Sequence, residues 1–256
     1  MPGEPLIFVH GWGMESGVWQ EQAEFFAEEF DVSAVNLPGH GGMPPLGGEP
    51  LTIKKCGEAL AEEISRKNLK NVHMVGWSLG AQVICHAAAE LGGNVGSLSM
   101  VGGTPCFTAP AESDKWATPL VKALWFQRTV KGDFENSLKK FVMTFFEAEK
   151  ELDGAAGERV KNAFFGKNFP PDEKSAVELL DDLTLSDIRG LLPALDVPSF
   201  ILHGSRDRIV PVEVTGIWES LLPQARTAIL PGCGHAPFIT CPEKFNATLK
   251  KFLAEV

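Results

Sequence analysis

The pentapeptide Gly76-Trp77-Ser78-Leu79-Gly80 contains the residue with the clearest chemical potential in the chain, a serine flanked by glycines. An apolar run from Val72 to Val75 precedes it, and helix-forming residues follow it. A Gly-x-Ser-x-Gly between a strand and a helix predicts a sharp turn that presents the serine hydroxyl as a nucleophile. Both glycines suit this turn, because a Cβ at either position would meet neighbouring backbone. The alternative interpretation is a serine in an ordinary turn between a strand and a helix.

Two residues much later in the chain have the types needed to activate Ser78. Asp207 follows the penultimate predicted strand, and His235 follows the last one. Polar residues that follow parallel strands gather at the carboxyl edge of the sheet, where ligands bind. His235 would accept the serine proton and return it to the leaving alcohol, and Asp207 would hold the imidazole in the required tautomer. These residues predict nucleophilic acyl transfer by a catalytic triad.

The tetrahedral intermediate of acyl transfer needs two hydrogen-bond donors for its oxyanion. We expect one from the backbone N–H of Leu79, directly after the serine, and one from Trp12, in the loop after the first strand. Both are backbone groups, so the prediction depends on where the turns place them rather than on side-chain chemistry.

Each triad candidate also has a structural interpretation. Asp207 could be a solvated turn aspartate paired with a neighbouring arginine, and His235 could be a turn histidine. Their positions after strands favour catalysis for both. His40, in another strand-end loop, could border the pocket. The other histidines lie in or beside predicted buried elements and are expected to be structural: His10, His73, His86 and His203.

Alternating strands and helices must bring these residues together. Short apolar runs predict strands at residues 5–10, 31–36, 72–75, 95–101, 197–204 and 225–230. Helical patterns separate them, which predicts an α/β fold with a mainly parallel sheet of about six strands flanked by helices. Residues 109–192 break the alternation, with no convincing strand and helical stretches near 116–128, 134–150, 157–165 and 175–183. We predict a helical lid at 109–192, inserted into a core formed by residues 1–108 and 193–256.

Composition excludes several classes of partner. The chain has 256 residues and 44% hydrophobic content, which is enough for one large core with an insertion. Its 23 basic and 33 acidic residues give a net charge of −10, which argues against nucleic acid or an anionic membrane surface. No apolar run approaches the roughly 18 residues of a membrane span, and the N-terminal run is too short for a signal peptide. We expect a monomer that acts on a small ester.

Cysteine and histidine spacing gives no indication of a metal or cofactor. The five cysteines are odd in number and lack a Cys-x-x-Cys pattern, so neither a disulfide framework nor a zinc site is predicted. This usage favours a reduced, cytoplasmic location. The glycine-rich loops do not complete a dinucleotide-binding motif, and we predict no metal and no cofactor. Cys233, two residues before His235, is expected to be a small core residue, with a reactive thiol as the alternative.

Several motifs together resemble a known family. The order Ser, Asp, His along the chain is that of an α/β-hydrolase triad. The chain resembles the α/β-hydrolase superfamily and, within it, the pimeloyl-acyl-carrier-protein methyl ester esterases of biotin synthesis. The matching segments are His10-Gly11-Trp12-Gly13-Met14, Leu37-Pro38-Gly39, Gly76-Trp77-Ser78-Leu79-Gly80, Pro105-Cys106-Phe107, Asp207-Arg208-Ile209-Val210-Pro211 and His235-Ala236-Pro237-Phe238.

The resemblance implies a function and a set of site residues. It implies hydrolysis of the methyl ester on pimeloyl carried by acyl-carrier protein, with Ser78, Asp207 and His235 as the triad and Trp12 and Leu79 as the oxyanion hole. It also implies substrate contacts in the lid. The implied substrate contacts are Trp12, Trp77, Ser78, Leu79, Phe141, Val142, Met143, Thr144, Phe145 and His235.

The lid departs most from the family pattern. The carrier-binding arginines of the family are mostly not arginine here, and Lys140 falls on one of those positions. The segment 115–140 is locally basic, so Lys139 and Lys140 form a candidate carrier-protein face. A solvated helical face is the alternative. Aromatic and aliphatic lid residues, Phe146 among them, would line an acyl tunnel or pack the lid onto the core.

Fold and triad alone leave the reaction open. The leading interpretation is a carboxylesterase that acts on a short or medium acyl methyl ester. A C–C bond hydrolase, a menaquinone-type lyase and a thioesterase keep the same triad. A ligand sensor that retains the triad for binding is a non-enzymatic alternative.

Overall fold

A six-stranded sheet forms the centre of the computed structural model, which describes residues 3–109, 115–145, 154–165 and 169–256. All paired neighbours in it are parallel, in the order β2-β1-β3-β4-β7-β8. A separate parallel pair, β5 and β6, has two residues per strand. The bounds are β1 Glu4–Val9, β2 Phe30–Val35, β3 Val72–Trp77, β4 Val95–Val101, β5 Thr108–Ala109, β6 Thr118–Pro119, β7 Ser199–Gly204 and β8 Ala225–Leu230. The main sheet confirms the predicted α/β fold class.

Helices follow most strands, as the alternating pattern predicts. They are α1 Gln20–Phe26, α2 Ile53–Arg66, α3 Leu79–Leu91, α4 Leu120–Gly132, α5 Phe134–Thr144, α6 Gly154–Phe164, α7 Glu173–Leu185, α8 Val214–Leu221, α9 Pro237–Thr240 and α10 Pro242–Leu253. Side chains mark where two of them begin. The Thr52 hydroxyl accepts a bond from the Lys55 N–H at 3.2 Å, and Asp172 accepts one from the Ser175 N–H at 2.8 Å. Such caps satisfy N–H groups that have no acceptor inside the helix.

Burial explains why the central strands are continuously apolar. Every residue of β3 and of β7 is buried, because helices cover both faces of the sheet. The edge strands β2 and β8 are partly exposed along their length. Trp19, Trp77 and Trp218 are among the largest fully buried side chains. Burying a large apolar side chain of this kind stabilises the fold by about 1.5–3 kcal/mol.

Helices α4 to α7 occupy the segment between β4 and β7. Hydrogen bonds join α7 to residues that precede this segment. The Leu51 N–H donates to Glu178 at 2.8 Å, and the Ile53 N–H donates to Asp182 at 2.8 Å, both on α7. The Trp12 indole N–H also donates to the Ala176 carbonyl of α7 at 2.7 Å. These bonds hold α7 over the carboxyl edge of the sheet.

Two details of this segment differ from the sequence-based expectation. The pair β5 and β6 was not expected, because strands of two residues are too short to produce an apolar pattern. The helix predicted for residues 134–150 ends at Thr144. Residues 146–150, and with them Phe146, lie outside the described residues. In the described part of the chain, no helix combines the length and apolar character needed to span a bilayer.

Candidate active site

Ser78 lies in a sharp turn between β3 and α3. Its backbone has φ 55° and ψ −116°, a conformation that non-glycine residues rarely adopt, and its N–H donates to the Val101 carbonyl at 2.9 Å. A Cβ on Gly76 would lie 2.3 Å from the Gly80 carbonyl oxygen, and one on Gly80 would lie 2.7 Å from the His10 carbonyl oxygen. Glycine is therefore required on both sides of the serine.

Asp207 and His235 form a buried hydrogen-bonded pair. His235 Nδ1 donates to Asp207 Oδ2 at 2.7 Å, and both side chains are almost fully shielded from solvent. The other carboxylate oxygen, Oδ1, accepts backbone N–H bonds from Ile209 at 2.8 Å and Val210 at 2.9 Å. These three hydrogen bonds fix the orientation of the carboxylate and, through it, that of the imidazole.

His203 is a third member of this buried group. Its Nε2 lies 3.3 Å from Asp207 Oδ2 and 2.9 Å from the Val210 carbonyl oxygen. Burial by itself raises the pKa of Asp207, but the charge of His235 and hydrogen bonds from His203 and His235 lower that pKa well below its usual range. Asp207 is therefore a carboxylate at neutral pH.

Sequence reasoning assigned His203 only a structural role. The available signal was its spacing: it precedes Asp207 by four residues at the end of β7, the strand that delivers the aspartate. Contact with Asp207 makes it a candidate positioning residue.

Aromatic contacts hold His235 in place from the side of β3. The Trp77 indole N–H donates to the His235 carbonyl at 2.9 Å, and the two rings lie 5.4 Å apart. The Phe145 ring lies 5.1 Å from the imidazole. Among the described residues, nothing hydrogen-bonds to the buried Nε2 of His235. Because Nδ1 donates to Asp207, Nε2 carries the lone pair of the neutral ring and can accept a proton.

The loop after β4 begins with two glycines, Gly102 and Gly103, which lie between the serine turn and the Asp207–His235 pair. A Cβ on Gly102 would lie 3.1 Å from the His235 carbonyl oxygen and 3.5 Å from Asp207 Oδ2. A Cβ on Gly103 would lie 3.2 Å from the Ser78 carbonyl oxygen. The structure thus brings the three predicted residues to one edge of the sheet, after β3, β7 and β8.

Trp12 and Leu79 both line a cavity beside Ser78. Leu79 is the first residue of α3, so its N–H has no acceptor within that helix. The Trp12 ring is held by its bond to Ala176 and by edge contacts with Phe126 at 5.8 Å and Phe141 at 5.3 Å. Both residues predicted to supply the oxyanion donors therefore lie beside Ser78, Leu79 at the start of α3 and Trp12 in a loop held by α7.

His10 anchors the loop after β1, which carries Trp12. Its Nδ1 donates to the Gly11 carbonyl at 2.8 Å, and its Nε2 accepts the Leu37 N–H at 3.0 Å. Burial, followed by the charge of His40, lowers the pKa of His10 to about 3. A neutral His10 can make both bonds, which fits a structural role. His40 is also buried and does not line the cavity.

The cavity beside Ser78 is narrow and lined mainly by apolar side chains. Its lining is Trp12, Ser78, Leu79, Thr104, Phe107, Phe126, Phe141, Leu180, Leu183, Ile209 and Val210. Ser78 and Thr104 are the side chains with hydroxyl groups in this set. A cavity of this kind suits an acyl chain with one reactive polar end.

The lid residues expected to contact substrate lie in different places. Phe141 lines the cavity, and Phe145 packs against the His235 and Trp77 rings. Val142 is fully buried and Met143 is 56% exposed, and neither lines the cavity. Thr144 lines the adjoining groove described below. The rotation of α5 about its axis decides which of these residues reaches the cavity, and sequence spacing alone does not give that rotation.

A second depression, here called the outer groove, adjoins the cavity and shares three residues with it, Phe126, Phe141 and Ile209. The outer groove is lined by Trp125, Phe126, Thr129, Ser137, Lys140, Phe141, Thr144, Arg208 and Ile209. Lys140 and Arg208 are its cationic side chains, and neither has an ion-pair partner within the described ranges. Lys139 instead points to Glu135, with which it forms an ion pair at 2.5 Å. The sequence did not identify Arg208 as a groove residue, because only Asp207 in the segment 207–211 had a recognisable chemical role.

Comparison with known proteins assigns nearly the whole chain to one family. A family model described as the alpha/beta hydrolase fold matches residues 4–242. The chain is 30% identical to a pimeloyl-[acyl-carrier protein] methyl ester esterase of Nitrosomonas europaea, over 95% of this chain and 93% of that protein. It is 31% identical to the protein of the same name from Methylococcus capsulatus, over 98% of this chain and 95% of that protein.

A solved structure gives the same result for the fold. The esterase EaEST from Exiguobacterium antarcticum superposes with a TM-score of 0.89 at 21% identity, over 99% of this chain and 92% of that one.

Proposed function

The chain belongs to the α/β-hydrolase family and is a carboxylic ester hydrolase, and we propose that it acts by a Ser78, His235 and Asp207 triad. The observation that carries this proposal is the buried Asp207–His235 pair, whose Nε2 is left without a partner beside the turn that bears Ser78. We further propose that the substrate is the methyl ester of pimeloyl-acyl-carrier protein, in biotin synthesis. The names of the relatives support this substrate.

In the proposed acylation step, Ser78 is the nucleophile and His235 is the general base. His235 Nε2 removes the Ser78 proton as Oγ attacks the ester carbonyl carbon, and the resulting oxyanion accepts N–H bonds from Trp12 and Leu79. Asp207 stabilises the imidazolium that forms. When the C–O bond to the methoxy group breaks, His235 returns the proton to it and methanol leaves. Ser78 then carries the acyl group.

Deacylation repeats these roles with water as the nucleophile. His235 Nε2 takes a proton from the water that attacks the acyl-enzyme, the same two N–H groups hold the second oxyanion, and the proton returns to Ser78 Oγ. The product carboxylate is released, and the resting enzyme is restored.

The cavity and the outer groove support a long, carrier-linked acyl substrate. Apolar side chains beside Ser78 suit the methylene groups of the acyl chain, and the adjoining outer groove leads to Lys140 and Arg208. A chain of net charge −10 repels an acidic carrier unless it has a local basic site. Lys140 and Arg208 supply such a basic site beside the groove.

Product analysis on a carrier-linked substrate tests the proposed reaction. We expect sustained turnover of a p-nitrophenyl ester and release of methanol from the pimeloyl methyl ester, with the pimeloyl group still on the carrier by mass spectrometry. A thioesterase would instead free the carrier thiol. A single turnover without recovery would identify a sensor and contradict the esterase proposal. Complementation of a strain that lacks the biotin-pathway esterase checks the pathway.

Charge reversal in the outer groove tests carrier recognition. For the double variant Lys140→Glu and Arg208→Glu, we expect the ratio of kcat/KM for carrier-linked ester to kcat/KM for p-nitrophenyl ester to fall about tenfold at low salt. The loss should shrink at high salt, because screening weakens the carrier's attraction to the parent.

Lys139→Glu is the matched control for this experiment. It makes the same charge change as the Lys140→Glu half of the double variant, at the adjacent position outside the groove, and should leave the ratio within about twofold. Equal effects of the control and of the double variant would show that general charge, not the groove, determines recognition.

A further inference from the structure

Two cysteines lie at the ends of the segment that carries His235. Cys233 precedes the histidine by two residues, and Cys241 lies between α9 and α10. Their Sγ atoms are 2.8 Å apart. A disulfide requires an S–S distance of about 2.0 Å, so the two sulfur atoms need to approach by less than about 1 Å.

The backbone on both sides of this pair is already hydrogen-bonded. The Arg206 N–H donates to the Cys233 carbonyl at 2.9 Å, and the Cys241 N–H donates to the Pro237 carbonyl at 2.9 Å. The Phe245 N–H donates to the Cys241 carbonyl at 3.0 Å. Small rotations of the two side chains can therefore bring the sulfur atoms together while the backbone around His235 stays in place.

The other cysteines differ from this pair in environment. Cys56 and Cys85 are buried, and burial raises the pKa of each thiol to about 12. Burial also raises the pKa of Cys106, whose Sγ donates to the Thr108 carbonyl at 3.0 Å. Cys241 is partly exposed, whereas Cys233 is fully buried beneath it. A dissolved oxidant can thus reach one thiol of the pair, and the second is in contact with the first.

We propose that Cys233 and Cys241 form a reversible redox site, in which a low-molecular-weight disulfide such as oxidised glutathione converts the two thiols into a disulfide that closes the His235 segment. This site is independent of the ester chemistry proposed above. Cys241 is the attacking thiol and Cys233 the resolving thiol, and the product is a nine-residue loop that contains His235 and α9.

The reaction balances in two exchange steps. The Cys241 thiolate attacks one sulfur of oxidised glutathione, the glutathione S–S bond breaks, and one glutathione leaves and takes up the proton lost by Cys241. The Cys233 thiolate then attacks the Cys241 sulfur of the mixed disulfide and displaces the second glutathione, which takes up the second proton. The two protein thiols lose two electrons in total, and the glutathione disulfide gains them.

The disulfide should stabilise the protein without removing its activity. Closing a short loop restricts the unfolded chain, and for a loop of this length the expected rise in Tm is about 5 °C. Because the sulfur atoms are already close, His235 keeps its contact with Asp207, and kcat/KM for a p-nitrophenyl ester should stay within about twofold of the reduced protein.

Mass spectrometry gives a direct test that does not depend on any substrate. Trypsin cleaves after Arg226 and Lys244, so both cysteines fall in the single peptide 227–244. After incubation of the full-length protein with oxidised glutathione, we expect this peptide to lose two hydrogen atoms, to carry no glutathione, and to recover its mass with dithiothreitol. A peptide that keeps both thiols, or that keeps glutathione, would overturn the proposal.

Single variants separate the two roles. Cys233→Ala should leave glutathione bound to Cys241 as a stable mixed disulfide, because the resolving thiol is absent. Cys241→Ser should leave the peptide unmodified, because Cys233 is buried. Cys106→Ser is the matched control and should form the loop disulfide like the parent. Absence of a Tm rise in the oxidised parent, or a more than tenfold loss of kcat/KM, would contradict the inferred closure around an undisturbed His235.

Discussion

Replacing Ser78 with alanine should lower kcat for ester hydrolysis to below about one part in 10³ of the parent value. The variant lacks the oxygen that forms the acyl-enzyme, so only the oxyanion donors at Trp12 and Leu79 and substrate binding remain to accelerate attack by water. Substrate affinity should change little, because the apolar cavity is intact. Steady-state kinetics with a p-nitrophenyl ester and with the carrier-linked methyl ester measure the loss.

Folding controls make this result interpretable. Alanine retains a Cβ at the strained backbone position of Ser78, so the melting temperature of the variant should stay close to that of the parent. Ser220→Ala, at an exposed serine of α8, is the matched substitution and should retain parent activity. Residual activity of Ser78→Ala above about one part in 10³ of the parent would reveal another nucleophile, because the oxyanion hole and binding alone leave only much weaker catalysis.

Replacing Asp207 with asparagine should lower kcat by about 10³- to 10⁴-fold with little change in KM. In the parent, Oδ2 accepts the Nδ1 proton of His235 and so leaves the lone pair on Nε2. An asparagine amide in that position can donate to Nδ1, which favours the tautomer with its proton on Nε2 and removes the base. Activity near the parent level would show that His235 does not depend on this carboxylate.

The same substitution should give a stability difference that depends on pH. The pKa of Asp207 is lowered in the folded protein, so its ionised form adds stability at pH values above the ordinary aspartate pKa of about 3.9. That contribution is lost as the pH falls below this value toward the lower folded pKa. The difference in Tm between parent and Asp207→Asn should therefore be largest near pH 7 and shrink below about pH 4. Asp31→Asn, at an exposed carboxylate, should show no comparable change with pH.

The triad candidates could be predicted from sequence because local constraints and simple topology locate them. The glycines around Ser78 are required by contacts within the turn itself, so the motif carries its own geometry. Asp207 and His235 follow strands of a parallel sheet, and the carboxyl ends of such strands lie at one edge. The apolar runs of β1, β3, β4 and β7 reflect burial in the sheet, and this pattern predicted the fold class that the structure confirms.

The resemblance of the motifs correctly indicated the family, because the matching segments are the turns that build the site. The same reasoning said less about the lid. The residues of α5 differ in burial according to the rotation of that helix about its axis: Val142 faces the core, Met143 faces solvent, and Phe141 faces the cavity. Spacing along a helix gives the relative angles of its residues but not which direction points to the sheet.

Long-range packing decided what the sequence alone left open. Arg208 joins Lys140 at the outer groove, and Leu180 and Leu183 of α7 join Ser78 at the cavity, only after the chain has folded. Each of these groupings depends on how the sheet and helices α4 to α7 pack, and no local sequence motif predicts it. The sequence by itself thus determined the sheet, the serine turn and the order of the triad candidates, because these follow from local sterics and from the burial of parallel strands. The tertiary structure decided the cavity and the groove, because side chains distant in sequence meet only through packing.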